Sequence, residues 1–283
     1  MPDQPNLPAQ KILVLWNHPD DDDNAGDATT RACAAHMAAV VTALQDAGFR
    51  AAHVNVADDI DRIIDSVVVE QPALIYNLVD SMYGDYTQHG AVASLYELLG
   101  IPYTGSDPLC LASAALEDRA RTLLGAAELP VSSAEPAPES RLLHVITYAD
   151  PEAPPLPITE SHFAAEDEPE IEPPATLVNL DADLEGKARD MARRAFFALG
   201  CRDAAQIDLS LEAGELAVLE VCPVIDLAPG TPFAVAADAS DRGFAGAITD
   251  LVRLGLARTH AARAHTAPPE PAPADGDAGD DAP

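Results

Sequence analysis

The chain has 283 residues and a mass of 29.6 kDa, enough to bury a real core and to hold two domains. Its 47 Asp and Glu against 16 Lys and Arg give a formal net charge of -31, a surface that repels phosphate backbones and so excludes nucleic-acid binding. No apolar run reaches membrane-spanning length, Met1 to Pro5 opens no signal peptide, and Cys33, Cys110, Cys201 and Cys222 form no CxxC pair, which together describe a cytoplasmic protein with reduced thiols.

Lys11 to Trp16 reads as a buried first strand, followed by an acidic loop at Asp20 to Asp23. Thr30 to Ala47 is an amphipathic helix with Ala34, Met37, Val41 and Leu44 on one side, and Gly48 fits its C-cap. Ala51 to Val56 is a second strand, Asp59 to Glu70 a short helix and Ala73 to Leu78 a third strand. This alternation predicts a parallel sheet covered by helices. No GxGxxG and no P-loop follows the first strand, so the usual dinucleotide and nucleotide phosphate turns are missing.

Ser81 to His89 is a polar turn in which Tyr83, Tyr86 and His89 either line a small-molecule cleft or pack the loop. Gly90 to Leu99 is a helix. A further helix, capped by Ser106 or Asp107 with Pro108 in its first turn, is expected to run unbroken to about Glu128. Ser132 to Ser140 reads as linker, Leu142 to Tyr148 as a strand with His144 in a structural role, and 149–175 as an irregular crossing. Leu184 to Leu199 is an amphipathic helix, Pro223 to Pro232 a turn-rich segment and Gly243 to Leu256 a last helix. From about Ala262 the chain is Ala/Pro/Asp-rich and is expected to be disordered.

Ala205 to Cys222 holds the chemistry. Two alternating runs flank Glu212 to Glu215, a hairpin turn. A three-residue loop pairs Glu212 with Leu216, which sets Asp208 opposite Glu220 and Gln206 opposite Cys222. Facing carboxylates repel, and a cation between them removes that cost. Asp208 and Glu220 are therefore candidate ligands for a hard cation such as magnesium, or else two solvated acids. A one-residue slip would undo the pairing.

Several stretches together resemble the D-alanine–D-alanine ligase-like ATP-grasp enzymes: Asn77-Leu78, Gly84, Gly100 to Pro108, Leu116 to Ala120, Ala195 to Gly200, Gln206-Ile207-Asp208 and Leu219 to Pro223. The resemblance implies an N-terminal Rossmann-like, parallel-sheet pre-ATP-grasp domain at 10–130 and a C-terminal α+β ATP-grasp domain at 131–260, with a tail at 261–283. It implies a chemistry too. ATP phosphorylates a carboxylate, an amine attacks the acyl phosphate, and magnesium is held by an Asp, a Glu and an Asn, of which Asp208 and Glu220 match the first two. Cys222 stands at the Asn position, Gln206 where the family has Arg, Asp226 where it has Gly, and Arg119 where it has Lys.

The interval from Pro130 to Leu142 has no lysine and no Gly-rich run. The expectation is therefore a truncated C-terminal domain without the small ATP-binding lobe: a degenerate pseudoenzyme, inactive alone, acting as a binding or regulatory subunit. On that reading no cofactor binds the isolated chain, and a homodimer or a complete ATP-grasp ligase covers the surface left bare. The alternative is a working ligase that uses magnesium and ATP.

Overall fold

The computed structural model describes residues 10–18, 28–132, 140–162 and 175–266, with the side chains of 28–33 and 260–266 set aside. The acidic loop at Asp20 to Asp23, most of the expected linker and the tail beyond 266 lie outside the described residues.

The first sheet is built from β1 (Lys11–Trp16), β2 (Arg50–Asn55) and β3 (Leu74–Leu78), all parallel in the order β2-β1-β3. β1 is central, and Ile12 to Leu15 are fully buried because both faces are covered. Ile12 and Val14 face a core shared with α1 (Ala28–Asp46) and α8 (Gly243–Thr266), whereas Leu13 and Leu15 face α2 (Ile60–Glu70) and α3 (His89–Leu98). Gly48 takes a positive φ of 88° after α1, as its capping role predicts. Pro102 to Thr104 adds a short edge beside β3: Ile75 N donates to Pro102 O and Thr104 N to Ile75 O.

The unbroken helix expected after Ser106 is two helices, α4 (Pro108–Ala114) and α5 (Glu117–Ala126). Leu116 between them is extended, at φ -111° and ψ 98°. Glu117 and Asp118 then occupy the first turn of α5, where acids favour a new helix start over continuation. Arg119 spans the break, its Nε donating to Ser113 Oγ at 2.8 Å.

The second sheet is antiparallel, in the order β6-β5-β4-β7-β8: β4 (Arg141–Tyr148), β5 (Thr159–His162), β6 (Thr176–Leu177), β7 (Ala204–Glu212) and β8 (Glu215–Cys222). One face is covered by α6 (Ala182–Ala198), whose buried Ala188, Ala192, Ala195 and Phe196 pack with Leu143, Val145, Ile207 and Leu209. The crossing read as irregular thus contains β5. Its four residues, Thr-Glu-Ser-His, carry no apolar alternation, and pairing with β4 on one side and β6 on the other makes them a strand. The turn-rich stretch after β8 leads into α7 (Pro232–Asp238), capped by Thr231, whose side chain accepts from Ala234 N. α8 then returns the chain to the first sheet, so Leu251, Val252 and Leu256 pack with Leu74 and Tyr76.

Candidate active site

The β7–β8 turn has two residues, not three: Ala213 and Gly214, with φ of 49° and 87°, turn the chain, and Glu212 pairs with Glu215. Two positive φ values in a row are what a tight hairpin turn with the right-handed strand twist requires. By itself that register would have moved Glu220 away from Asp208. A bulge corrects it: Leu209 pairs with Val218 but Asp208 pairs with Glu220, leaving Leu219 as the extra residue. Asp208 and Glu220 are therefore opposite, as are Gln206 and Cys222, by a route different from the one the sequence suggested.

Ligand atoms of Asp208, Glu220 and Cys222 all lie within 4.8 Å of one another. Asp208 is buried, Cys222 half-buried and Glu220 exposed, so the group opens to solvent on one side. A fourth residue completes the arrangement. His144 sits opposite Asp208 on β4, and its Nδ1 lies 2.8 Å from Asp208 Oδ1 while its Nε2 lies 2.9 Å from Ser161 Oγ. Gln206 Nε2 donates to the same Asp208 oxygen at 3.0 Å. Both bonds fall on Oδ1, which leaves Oδ2 for a cation. His144, expected in a structural role, is a buried ring bonded to both Asp208 and Ser161, and in that role it holds the carboxylate in place. The sequence carried no signal for this, because only the β4–β7 register sets His144 against Asp208.

Magnesium fits this donor set in part. Two carboxylates suit a hard cation, and the thiol of Cys222 does not. Asp208 and Glu220 would hold the ion, with water in place of a third protein oxygen.

Beside this group lies a cavity of about 450 Å³ between the two halves. The first sheet contributes Trp16, Tyr76, Asn77 and Leu78, and the segment after β8 contributes Pro223 to Leu227. Pro223, the residue after Cys222, lines the cavity, whereas Asp208, Glu220 and Cys222 do not. It opens beyond the C-terminal ends of β1 and β3, where ligands sit in open α/β sheets. Tyr86 and His89 of the aromatic loop line it, whereas Tyr83 is 72% exposed and does not. Asp58 Oδ1 fixes this loop, accepting from Tyr83 N and Asn17 Nδ2 at 2.7 Å each. Burial pushes the His89 imidazole below its ordinary range, against the pull of Asp80 and Asp85, and so favours the neutral ring. Asp226 forms a local turn, its Oδ1 accepting from Ala228 N at 2.9 Å.

Asp203 closes one wall. It is almost fully buried, accepts from Gly105 N at 2.9 Å and pairs with Arg258 at 2.9 Å. Burial raises its carboxyl above the usual range even though Arg258 pulls it down.

No family model matches the chain. Among curated proteins it is similar to the D-alanine–D-alanine ligase of Desulforudis audaxviator, 25% identical over an alignment 292 positions long that covers 78% of this chain and 92% of that one. Shorter matches are closer: 34% identity over 91 residues with the Chelativorans ligase and 33% over 121 residues with that of Paramagnetospirillum magneticum. These span only 28% and 36% of the relatives' lengths. The structure superposes on the D-alanine–D-alanine ligase from Bacillus anthracis complexed with ATP, with a TM-score of 0.71 at 14% identity, over 90% of this chain and 99% of that one.

The chain thus has the D-alanine–D-alanine ligase fold, and the likeness runs over nearly the whole of the solved ligase. This overturns the expectation of a truncated ATP-grasp domain, and with it the degenerate pseudoenzyme, the regulatory subunit and the claim that most of the ATP-binding apparatus is missing. The physical reason lies in what was counted. Missing lysines and glycines between 130 and 142 report residue types, while the fold is set by strand pairing, and 141–222 close a five-stranded sheet. A complete ligase partner, invoked to cover a lost lobe, loses its reason as well. Among the described residues no helix is long and apolar enough to cross a membrane.

Proposed function

We propose that the chain is an ATP- and magnesium-dependent carboxylate–amine ligase, forming an amide or peptide bond through an acyl phosphate. The observation that carries this reading is the convergence of Asp208 and Glu220 on the open face of a bulged hairpin, next to a cavity walled by both halves of a ligase fold. Bound magnesium would offset the charge on the phosphate oxygens, which matters more than usual on a surface of net charge -31.

The protein's own part is positioning. His144 and Gln206 hold Asp208 by its Oδ1, and Asp208 and Glu220 would hold the ion. The bulge at Leu219 brings Glu220 level with it. The cavity holds the carboxylate and the amine together and limits water, which would otherwise hydrolyse the acyl phosphate. His89, kept neutral by burial and placed in the wall, accepts the proton that the attacking amine gives up.

Calorimetric titration of ATP with magnesium, at low and high salt, followed by assay of amine-dependent ADP release, tests the proposal. Asp208→Asn and Glu220→Gln should each weaken magnesium-dependent nucleotide binding by about 10- to 100-fold. Nucleotide affinity identical in wild type and both variants would refute it.

A further inference from the structure

The pair Cys110 and Cys201 has no part in the ligase reading. Cys110 lies in α4, in the first half of the chain, and Cys201 in the turn after α6, in the second. They are 91 residues apart in sequence, and their sulfurs are 3.6 Å apart. Cys110 is 1% and Cys201 7% exposed. Chance packing of two small hydrophobes requires no such register, yet polar contacts join 105–107, just before Cys110, to 202–203, just after Cys201. Arg202 N donates to Ser106 Oγ at 3.1 Å, Arg202 Nη2 pairs with Asp107 at 2.7 Å, and Gly105 N donates to Asp203 Oδ2 at 2.9 Å.

We propose that Cys110 and Cys201 are a peroxide-oxidisable dithiol whose disulfide fastens the two halves of the molecule together. The oxidant class follows from access. Ser106, Leu111, Asp203 and Ala204, the neighbours of the two cysteines in sequence, line the cavity of about 450 Å³. Neither cysteine lines the cavity, so a molecule as small as hydrogen peroxide, crossing the thin layer from there, is the oxidant that fits, and a bulky disulfide reagent is not.

The chemistry has two steps. The Cys110 thiolate attacks one peroxide oxygen, the O–O bond breaks, and the departing hydroxide takes a proton to become water, leaving a sulfenic acid at Cys110. The Cys201 sulfur then attacks that sulfenic sulfur, the S–O bond breaks, and a second water leaves with the Cys201 proton. Two thiols and one peroxide become one disulfide and two waters. The order of attack follows from the hydrogen bonds. The sulfur–sulfur hydrogen bond holds the Cys110 thiol below its ordinary range, with help from Ser106, while the same bond and then burial push Cys201 up. Asp203 is two residues beyond Cys201, and β7, which carries Asp208, starts at Ala204. Oxidation therefore ties α4 to the strand that leads into the site.

The test uses the full chain in a Cys222→Ser background, so that the more exposed thiol does not exchange. Native protein is treated with a small excess of hydrogen peroxide, denatured, alkylated and mapped by mass spectrometry. A loss of about 2 Da shared between the peptides holding Cys110 and Cys201, reversed by dithiothreitol, is expected. The oxidised form should melt about 10 °C higher, since the bond closes a long loop. Cys201→Ala should leave Cys110 as a sulfenic acid that dimedone traps. Both thiols fully alkylated after peroxide treatment, a bond mapping to Cys33, or an unchanged melting temperature would overturn the proposal. All these readouts are independent of ATP turnover, so failure of the ligase reading would leave them intact.

Discussion

His144 Nδ1 lies 2.8 Å from Asp208 Oδ1, across the β4–β7 ladder where the two residues are direct partners. The imidazole is buried and spans from Asp208 to Ser161 on β5, so three strands are joined through one ring. His144→Ala removes this link and leaves a buried carboxylate with Gln206 as its remaining partner. The expected loss is about 1–3 kcal/mol in urea unfolding. Divalent-cation affinity should fall with it, because Asp208 is no longer held in one orientation. A variant with unchanged stability and unchanged cation affinity would show that the ring is packing alone.

Cys222 is the weak point of the site as a magnesium centre. Its sulfur lies within 4.8 Å of both carboxylates, where a hard cation favours oxygen. Cys222→Asn supplies a carbonyl oxygen in nearly the same volume. Magnesium affinity is expected to rise several-fold, and affinity for zinc or cadmium to fall. Parallel titrations of the two proteins with magnesium and cadmium check both directions; a variant that weakens magnesium binding would place Cys222 outside the coordination shell.

How far this site was legible is clearest at the hairpin. Alternation placed Asp208 and Glu220 on one face, since side-chain period is fixed by the strand. Loop length was misread, and Leu219 rescued the pairing by a bulge that no alternation pattern reveals. The parallel order of β1 to β3 was readable from buried apolar runs separated by helices. β5 was not, because Thr159 to His162 become a strand only by pairing with β4 and β6. The contact of Cys110 with Cys201 and the return of α8 to the first sheet are long-range facts that local pattern does not encode. The inference of a missing lobe failed for a related reason. It read the absence of residue types as an absence of structure.

Arg258 is a second test of the architecture. It pairs with Asp203 and also donates to Tyr103 O at 2.7 Å, tying α8 to both halves of the chain. Arg258→Met keeps most of the side-chain volume and strands Asp203 as a buried acid. About 2–3 kcal/mol of stability should be lost at pH 7, less than for a fully buried pair because Arg258 is partly exposed. The pH dependence has a definite sign. The Asp203 carboxyl is already raised by burial, and losing the cation raises it further. A raised folded-state value means that stability is fullest below the unfolded value and is lost as pH rises through the folded one. The defect of the variant should therefore shrink as pH falls from 7 toward 4. Urea unfolding at several pH values reads this directly, and a deficit independent of pH would assign the loss to packing.

Gly255 decides between two opposed effects. In the middle of α8, Gly→Ala ordinarily stabilises a helix by about 1 kcal/mol. Here a Cβ would meet Leu74 Cδ1 at 2.7 Å, a separation that real contacts do not tolerate, with Tyr103 O at 3.5 Å. Leu74 is fully buried in β3, in the core that α8 shares with the first sheet, so it moves only by displacing its neighbours. Overpacking of this kind costs about 1–3 kcal/mol, which exceeds the helix gain. Gly255→Ala should therefore destabilise the protein, and Gly255→Ala combined with Leu74→Val, which relieves the clash, should recover part of the loss. Gly186, on α6, serves as the control: its Cβ would meet nothing within 4 Å, so Gly186→Ala should be neutral or stabilising. Thermal melts of the three variants beside the unaltered protein rank the effects. A Gly255→Ala protein as stable as Gly186→Ala would mean that α8 packs less closely on the first sheet than Leu74 requires.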